Sequence, residues 1–232
     1  LPNKPKINFK KISSMFLNKI NYIYVKYIYK TFNRFNILNG ISFSQQEGEI
    51  LALMGKNGSG KTTLLRIIAR IMKPDSGSIL FQGNELLSNN SQFRKNLLYL
   101  GHDPGMYSYL SAKENLRFAL SFRYKSQPIA KIHKVLDRFE LSRFSREPIS
   151  VFSKGMLQRL KLAYVELGSW DLLLFDEPFT GLDKNGIDLV DQLIKKWRDQ
   201  NKSVIMVLHN EYRAKQIADK KLLIDSGKII LD

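Results

Sequence analysis

One stretch of eight residues restricts the fold of this chain more than any other feature. It matches the pattern Gly-x-x-x-x-Gly-Lys-Ser/Thr, in which a glycine-rich turn joins a strand to a helix and surrounds phosphate groups with backbone N–H donors. An apolar strand, Ile50–Met54, precedes it, and a helix with Leu64, Ile67 and Ile68 on one face follows it. The pattern therefore predicts a phosphate site at a strand-to-helix turn. We call these residues the P-loop: Gly55, Lys56, Asn57, Gly58, Ser59, Gly60, Lys61 and Thr62.

Two side chains at the end of the P-loop have distinct predicted roles. Lys61 is expected to reach the terminal phosphates of a nucleotide, and Thr62 is expected to ligate Mg²⁺. Thr63 follows in the first helical turn, where the partial positive charge of the helix amino terminus favours phosphate. The P-loop thus predicts a bound nucleotide together with Mg²⁺.

A nucleotide site of this kind also needs a carboxylate for the metal and a group that activates water. The apolar run Leu172–Phe175 leads into Asp176 and Glu177, two adjacent carboxylates at the carboxyl end of a predicted strand. Asp176 is expected to hold Mg²⁺ through water, and Glu177 is expected to act as the general base. A solvated acidic strand end is the alternative explanation of the pair.

Strand and helix patterns alternate along most of the chain and predict an α/β core. Residues 84–166 read as mainly helical, with Ser111 and Glu114 forming a capping box, so this interval is predicted to be a helical insertion. Turns are expected at Asn39-Gly40 and Glu47-Gly48. Further strands are predicted at Ile23–Ile28, Ile41–Ser44, Ser78–Gln82, Val204–Leu208 and Leu222–Ile224.

Composition narrows the function classes. The chain has no cysteine, which removes disulfides, thiolate metal sites and a cysteine nucleophile. Its net charge of +16 fits an anionic partner or surface, and an AT-rich genome that favours lysine codons explains it equally well.

Residues 1–20 are rich in lysine and lack acids, and they are expected to be a basic extension, either a targeting or membrane-surface segment or a frayed start. No apolar run approaches the ~18 residues of a membrane span, which predicts a soluble or peripheral protein.

The order of motifs resembles that of the nucleotide-binding subunits of ABC transporters, from about residue 22 to the end. That resemblance implies one nucleotide-binding domain over residues 21–232, a P-loop ATPase core of ABC type with an antiparallel β subdomain and a helical insertion. It also implies ATP as the nucleotide, hydrolysed with Mg²⁺. The motifs that carry the resemblance, in chain order, are the P-loop, the signature segment Phe152–Arg159, Leu172–Pro178, the D-loop Thr180–Asp183 and His209.

In this family two chains enclose two ATP molecules, and the resemblance assigns residues to both halves of the composite site. Ser153 and the backbone at Gly155 are implied to cap the partner chain's nucleotide, and Asp183 is implied to lie across the dimer. His209 is implied to be the switch histidine that touches the γ-phosphate. Phe32 matches the aromatic residue that stacks on adenine, with a place in the core as the alternative.

The chain departs from the family pattern at two places. Met156 stands where the signature segment usually has glutamine, although Ser153 and Gly155 are kept. His102 stands where the glutamine of the Q-loop is expected, and an imidazole there can bind water or metal.

A narrower resemblance links the chain to the ATPase subunits of haem exporters for cytochrome c maturation. It rests on three segments, Tyr99–His102, Glu114–Phe118 and Asp176–Asp183. The signature segment is also common in exporters of drugs, antibiotics or polysaccharide, which are the alternative. Either resemblance implies an ATP-driven homodimer, peripheral to a membrane, that works with integral membrane subunits. The lysine-rich composition favours the matrix face of a mitochondrial inner membrane over the cytoplasmic face of a bacterial one.

Two further classes use the same P-loop. ABC-type ATPases that act on nucleic acid usually carry two P-loops or a long coiled coil, and this chain has neither, so no nucleic-acid partner is expected. A small-molecule kinase would not need the signature serine Ser153 or the late His209. Hydrolysis of ATP coupled to transport is therefore the predicted activity.

Overall fold

The computed structural model describes residues 22–88, 95–103, 105–122 and 129–230, so the basic extension predicted at residues 1–20 lies outside the described residues. The strands are β1 Ile23–Phe32, β2 Phe35–Gln45, β3 Ile50–Met54, β4 Ser76–Phe81, β5 Asn84–Glu85, β6 Leu97–Leu100, β7 Leu172–Asp176, β8 Ser203–Val207, β9 Lys220–Asp225 and β10 Lys228–Ile230. The helices are α1 Lys61–Ile68, α2 Ala112–Ser121, α3 Ile129–Arg138, α4 Lys154–Leu167, α5 Lys184–Asp199 and α6 Glu211–Ile217.

The larger sheet has six strands in the order β10-β9-β3-β8-β7-β6. Neighbouring strands from β9 to β6 pair in parallel, and only β10 is antiparallel to its neighbour. Strands β7 and β8 are buried along their whole length, which explains why the sequence shows continuous apolar runs there instead of alternation. Because parallel strands end at the same edge, the segments that follow β3, β6, β7 and β8 come together.

The two faces of this sheet pack into two different cores. On β3, Ile50 and Ala52 point into the core formed with α2 to α6, whereas Leu51 and Leu53 point into the core formed with α1 and the second sheet. This division follows from the two-residue period of a strand, which sends successive side chains to opposite faces. Helix α1 is thereby packed beneath the P-loop by its buried leucines and isoleucines.

The second sheet has the order β2-β1-β4-β5 and is antiparallel throughout, which confirms the antiparallel β subdomain. The turn predicted at Asn39-Gly40 is wrong, because these residues lie inside β2 at an irregularity of its pairing with β1. The hairpin instead turns at Asn33-Arg34, where both residues have positive φ, as a two-residue loop of the I′ kind requires. Gly40 has a positive φ of 77°, a conformation that Asn-Gly also provides in hairpin turns, but here it accommodates the irregularity within β2.

In the described part of the interval expected to be mainly helical, two strands, β5 and β6, precede the first α-helix, α2. Strand β6 adds to the edge of the larger sheet beside β7. Its apolar run of four residues is too short for periodicity to separate strand from helix. The predicted capping box at the start of α2 is present, with both Ser111 and Glu114 making their hydrogen bonds. None of the helices in the described ranges is long and apolar enough to cross a membrane.

Candidate functional site

The P-loop joins β3 to α1 through residues that only glycine fills easily. Gly60 sits at the amino end of α1 with φ of 104°, and a Cβ there would lie 2.8 Å from the carbonyl oxygen of Ile37. No side chain caps this end of the eight-residue helix. The backbone N–H groups of its first turn are therefore left for a ligand, since they have no partner within the helix.

The side chain of Lys61 folds back into the P-loop. Its Nζ donates hydrogen bonds to the carbonyl oxygens of Lys56 at 2.7 Å and Gly55 at 2.9 Å, and it lies 3.5 Å from Ser59 Oγ. Burial lowers the pKa of Lys61, while the nearby carboxylates oppose that shift. The ammonium group is thus held inside the curve of the loop, where phosphate groups are expected.

A cavity of about 350 Å³ opens beside the P-loop and α1. It gathers residues that are distant in sequence, because the second sheet, the P-loop and the ends of β7 and β8 all border it. Phe32, at the end of β1, has 41% of its surface exposed and lines this cavity. The lining residues that the sequence predicted are Phe32, Asn57, Gly58, Gly60, Lys61, Thr62, Thr63, Glu177 and His209.

Asp176 ends β7 directly below the P-loop. Its Oδ2 accepts a hydrogen bond of 2.8 Å from Thr62 Oγ1, and its Oδ1 is buried without any hydrogen-bond partner. Burial raises the pKa of Asp176, the hydrogen bond from Thr62 opposes this, and the charge of Glu177 adds to it. A buried carboxylate oxygen without a partner is costly unless water or a cation satisfies it. Thr62 and Asp176 therefore fit a hydrated divalent cation.

Glu177 follows with a positive φ of 54° and lies between two side chains. Its Oε1 is 2.8 Å from His209 Nε2, and its Oε2 accepts a hydrogen bond of 2.9 Å from Thr180 Oγ1. Burial raises the pKa of Glu177, but the hydrogen bonds from His209 and Thr180 outweigh it, so the net shift is downward. The carboxylate is thus held in its ionised form, oriented by neighbours on two other segments.

The segment after β6 brings His102 near the second carboxylate oxygen of Glu177, the one that His209 does not contact. The Nδ1 of His102 lies 3.8 Å from Glu177 Oε2. His102, the residue at the Q-loop position, therefore contacts the same carboxylate as His209. Along the chain, His102 precedes Glu177 by 75 residues and His209 by 107.

Two residues of the site were not singled out from the sequence. Gln158 and Lys161 lie one turn apart on α4 and are both buried. Gln158 Nε2 donates to the carbonyl oxygens of Glu177 at 3.3 Å and Pro178 at 2.8 Å. The signal available was a pair of polar residues spaced by three, of which Lys161 stands between two leucines in the helix.

The signature segment and the D-loop meet each other away from this cavity, and Ser153, Gly155 and Asp183 do not line it. Ser153 is the N-cap of α4, and its Oγ accepts a hydrogen bond from the N–H of Met156. A Cβ at Gly155 would lie 2.7 Å from the carbonyl oxygen of Gly181, so glycine allows this close approach. Within one chain these residues thus build helix ends and the contact between the two segments.

Asp183 caps α5 and also forms an ion pair with Arg159. Its Oδ1 accepts hydrogen bonds from the N–H of Gly186 and from Arg159 Nη2, both at 2.9 Å. These two donors lower the pKa of Asp183, the backbone N–H contributing most. Arg159 also pairs with Glu140 at 2.6 Å, so one buried guanidinium joins α4, the end of α3 and the D-loop.

Comparison with known families agrees with this geometry. The family model described as "ABC transporter" matches residues 38–180, which is more than half of the chain and runs from β2 through the D-loop threonine. The chain belongs to the ABC transporter family. The antiparallel subdomain, the P-loop core and the helical insertion are thus the fold of an ABC ATPase, as predicted.

The most similar relatives include the cytochrome c biogenesis ATP-binding export protein CcmA of Escherichia coli strain K12. It is 35% identical over 173 residues, which cover 75% of this chain and 82% of the relative. The protein of the same name from Shigella dysenteriae serotype 1 matches with the same identity and coverage. As an ABC ATPase, the chain is the ATP-binding and ATP-hydrolysing subunit of a transporter.

Solved structures show the same fold. An ATP-binding subunit of an ABC transporter superimposes with a TM-score of 0.81 at 27% identity, covering 90% of this chain and 88% of that one. The dimeric ATP-binding cassette MJ0796, in a post-hydrolysis state with ADP and Pi, gives a TM-score of 0.82 at 23% identity, covering 90% and 97%. Cassettes of this fold form dimers and work with membrane subunits.

Proposed function

We propose that this chain is the ATPase subunit of the haem exporter complex for cytochrome c maturation. The observation that carries the proposal is the 35% identity to a cytochrome c biogenesis export protein over 82% of that protein's length. Residues 21–232 are proposed to be its single nucleotide-binding domain. A drug or polysaccharide exporter is the second candidate, because the signature segment fits those exporters too.

The P-loop cavity is proposed to bind ATP. Lys61 would exchange its two carbonyl contacts for the terminal phosphates, since its ammonium is already held within the loop. The glycine backbone and the uncapped start of α1 would donate N–H groups to the phosphates. Phe32 has a partly exposed ring on the cavity wall, which supports stacking on adenine.

Mg²⁺ is proposed to bind at Thr62 and Asp176. The unpartnered Oδ1 of Asp176 and the adjacent hydroxyl of Thr62 supply the hard oxygen donors that this cation prefers. When bound, Mg²⁺ would neutralise charge on the phosphates. The two side chains already share a hydrogen bond, so they are oriented before any cation arrives.

Glu177 is proposed to be the general base that takes a proton from the attacking water. Its lowered pKa keeps the carboxylate ionised, and the hydrogen bonds to His209 and Thr180 fix its direction. His209 lines the same cavity, so it can turn from Glu177 towards the γ-phosphate. Orientation of both groups before reaction is what positioned acid–base catalysis requires.

An ATP-driven homodimer would complete the site. Ser153, Gly155 and Asp183 are exposed or partly exposed and lie outside their own chain's cavity, which supports a role toward a partner's nucleotide.

The exposed aromatic cluster of Tyr107, Phe118 and Phe122 is proposed to bind the integral membrane subunit. Successive rings of this cluster meet edge to face at 4.9 Å on the helical insertion, which leaves an apolar surface in water.

The protein is proposed to be peripheral to a membrane. The lysine-rich composition is the only support for the matrix face of a mitochondrial inner membrane. The relatives named above are bacterial, which supports the alternative location, the cytoplasmic face of a bacterial membrane. In either compartment the ATPase faces the side where ATP is abundant.

The test is a Glu177→Gln substitution in the organism that carries the chain, with c-type cytochromes measured by haem staining and the membrane subunits identified by copurification. Haem export predicts loss of c-type cytochromes and capture of a haem-exporter membrane subunit. Normal cytochrome levels, with capture of a drug or polysaccharide permease, would establish the second candidate instead.

A further inference from the structure

Lys161 is a buried lysine in the middle of α4 that none of the roles assigned above uses. Only 4% of its surface is exposed. Its Nζ donates hydrogen bonds to the carbonyl oxygens of Gly101 at 2.9 Å and His102 at 2.7 Å. A cation on the helix that contains most of the signature segment therefore holds the backbone of the segment that follows β6.

Burying an ammonium group is unfavourable unless its surroundings compensate. Burial lowers the pKa of Lys161, and the negative charges of Asp103, Asp176 and Glu177 act against that shift. Lys161 also lines a cavity of about 210 Å³ together with His102, Asp176 and Glu177. The charge is thus placed beside both carboxylates of the hydrolysis site, where two adjacent anions would otherwise repel each other.

Lys161 fixes the backbone of His102, whose side chain is near Glu177. Its carbonyl oxygen is held by Lys161, and its imidazole lies 3.8 Å from Glu177. His102 has 65% of its side chain exposed, so packing alone does not fix its position. The hydrogen bonds from Lys161 are the contacts that tie its backbone to α4.

We propose that Lys161 is a positioning residue for ATP hydrolysis, which acts by holding the His102 segment so that the imidazole stays beside Glu177. Gln158, one turn earlier on α4, holds the carbonyl oxygens of Glu177 and Pro178 in the same way. One face of α4 therefore holds both the segment that follows β6 and the segment that follows β7. Movement of α4 transmits directly to the site through these two side chains.

The proposal rests on the assignment of Glu177 as the base, and the test separates the two. Lys161→Met keeps an unbranched apolar stem but removes the charge and both hydrogen bonds. We expect kcat to fall by up to about 10²-fold, the loss typical of a misplaced catalytic group. KM for ATP and nucleotide affinity should stay within about twofold, because Lys161 does not line the P-loop cavity. Lys161→Arg keeps the donors and should recover most of kcat.

The matched control is Lys202→Met. Lys202 also donates to backbone, at the carbonyl oxygen of Trp170, but this residue precedes β7, at the edge of the sheet opposite to the segment that follows β6. It should alter thermal unfolding as Lys161→Met does while leaving kcat at the parent value. If Lys161→Met does not fold, Lys161→Leu, which also has neither a charge nor a hydrogen-bond donor, provides the same test.

A double-mutant cycle with His102→Ala decides whether Lys161 acts through His102. If it does, Lys161→Met should lower kcat by less than about twofold in the His102→Ala background, because coupled residues are not additive. Full additivity of the two losses, or a Lys161→Met protein with the parent kcat, overturns the proposal. An unchanged kcat in a parallel Glu177→Gln variant would instead remove Glu177 as the base, independently of Lys161.

Discussion

Replacing Glu177 with glutamine tests the hydrolysis site most directly. Glutamine has the shape of glutamate, so its Oε1 can still accept from His209 Nε2, and its amide can donate to the Thr180 hydroxyl. The fold should therefore be unchanged, with the same circular dichroism and nearly the same midpoint of thermal unfolding. What is lost is the ability to take a proton from water.

The expected loss follows from the role assigned to Glu177. A positioned general base typically contributes 10²–10⁴ in rate, which corresponds to roughly 3–5 kcal/mol in the activation barrier. The pKa of Glu177 is lowered, so the parent carboxylate is already ionised above the ordinary glutamate value of about 4.3. The ratio of parent to variant rate should accordingly be constant between about pH 6 and 8. A ratio that collapses at the acidic end of this range would contradict the lowered pKa.

The assay is steady-state phosphate release at saturating ATP, with nucleotide binding measured separately on the same preparations. The Glu177→Gln protein should bind ATP like the parent and accumulate as an ATP-dependent dimer, because ATP hydrolysis, the step after which the dimer separates, is blocked.

The lowered pKa of Glu177 also makes the stability of the fold depend on pH. The hydrogen bonds of the ionised side chain stabilise the fold above the unfolded pKa, and that contribution is lost as pH falls through the folded pKa. A variant that hydrolyses ATP at the parent rate would refute the assignment.

Three further changes probe other parts of the chain. Lys61→Ala should greatly weaken ATP binding, measured by titration, without altering the circular dichroism spectrum, and unchanged affinity would contradict the P-loop assignment. Ser153→Arg, in the Glu177→Gln background, should keep monomer ATP binding but abolish ATP-driven dimerisation in sedimentation, and normal dimerisation would contradict the role of Ser153 toward the partner chain. Leu174→Ala should destabilise the fold by about 2–5 kcal/mol in denaturant unfolding, because Leu174 is fully buried in β7, and a loss below about 1 kcal/mol would contradict its place in the core.

The sequence by itself determined the local parts of this protein. The P-loop between β3 and α1, the capping box before α2 and the buried runs of β7 and β8 could be predicted because each depends on neighbours within a few residues. The adjacent pair Asp176 and Glu177 was recognisable for the same reason, since an apolar strand ending in two carboxylates is a local pattern.

The tertiary structure decided which residues from distant parts of the chain contact these local elements. Strand β6 has too few residues to show a period, and it becomes a strand because β7 offers it a parallel partner. Lys161 reads as one more lysine in a lysine-rich chain, and only the packing of α4 against the edge of the sheet brings it to the carbonyl oxygen of His102. Glu177 and His209 meet because parallel strands with distant sequence positions end at one edge. Contacts of this kind depend on strand order, which local sequence does not encode.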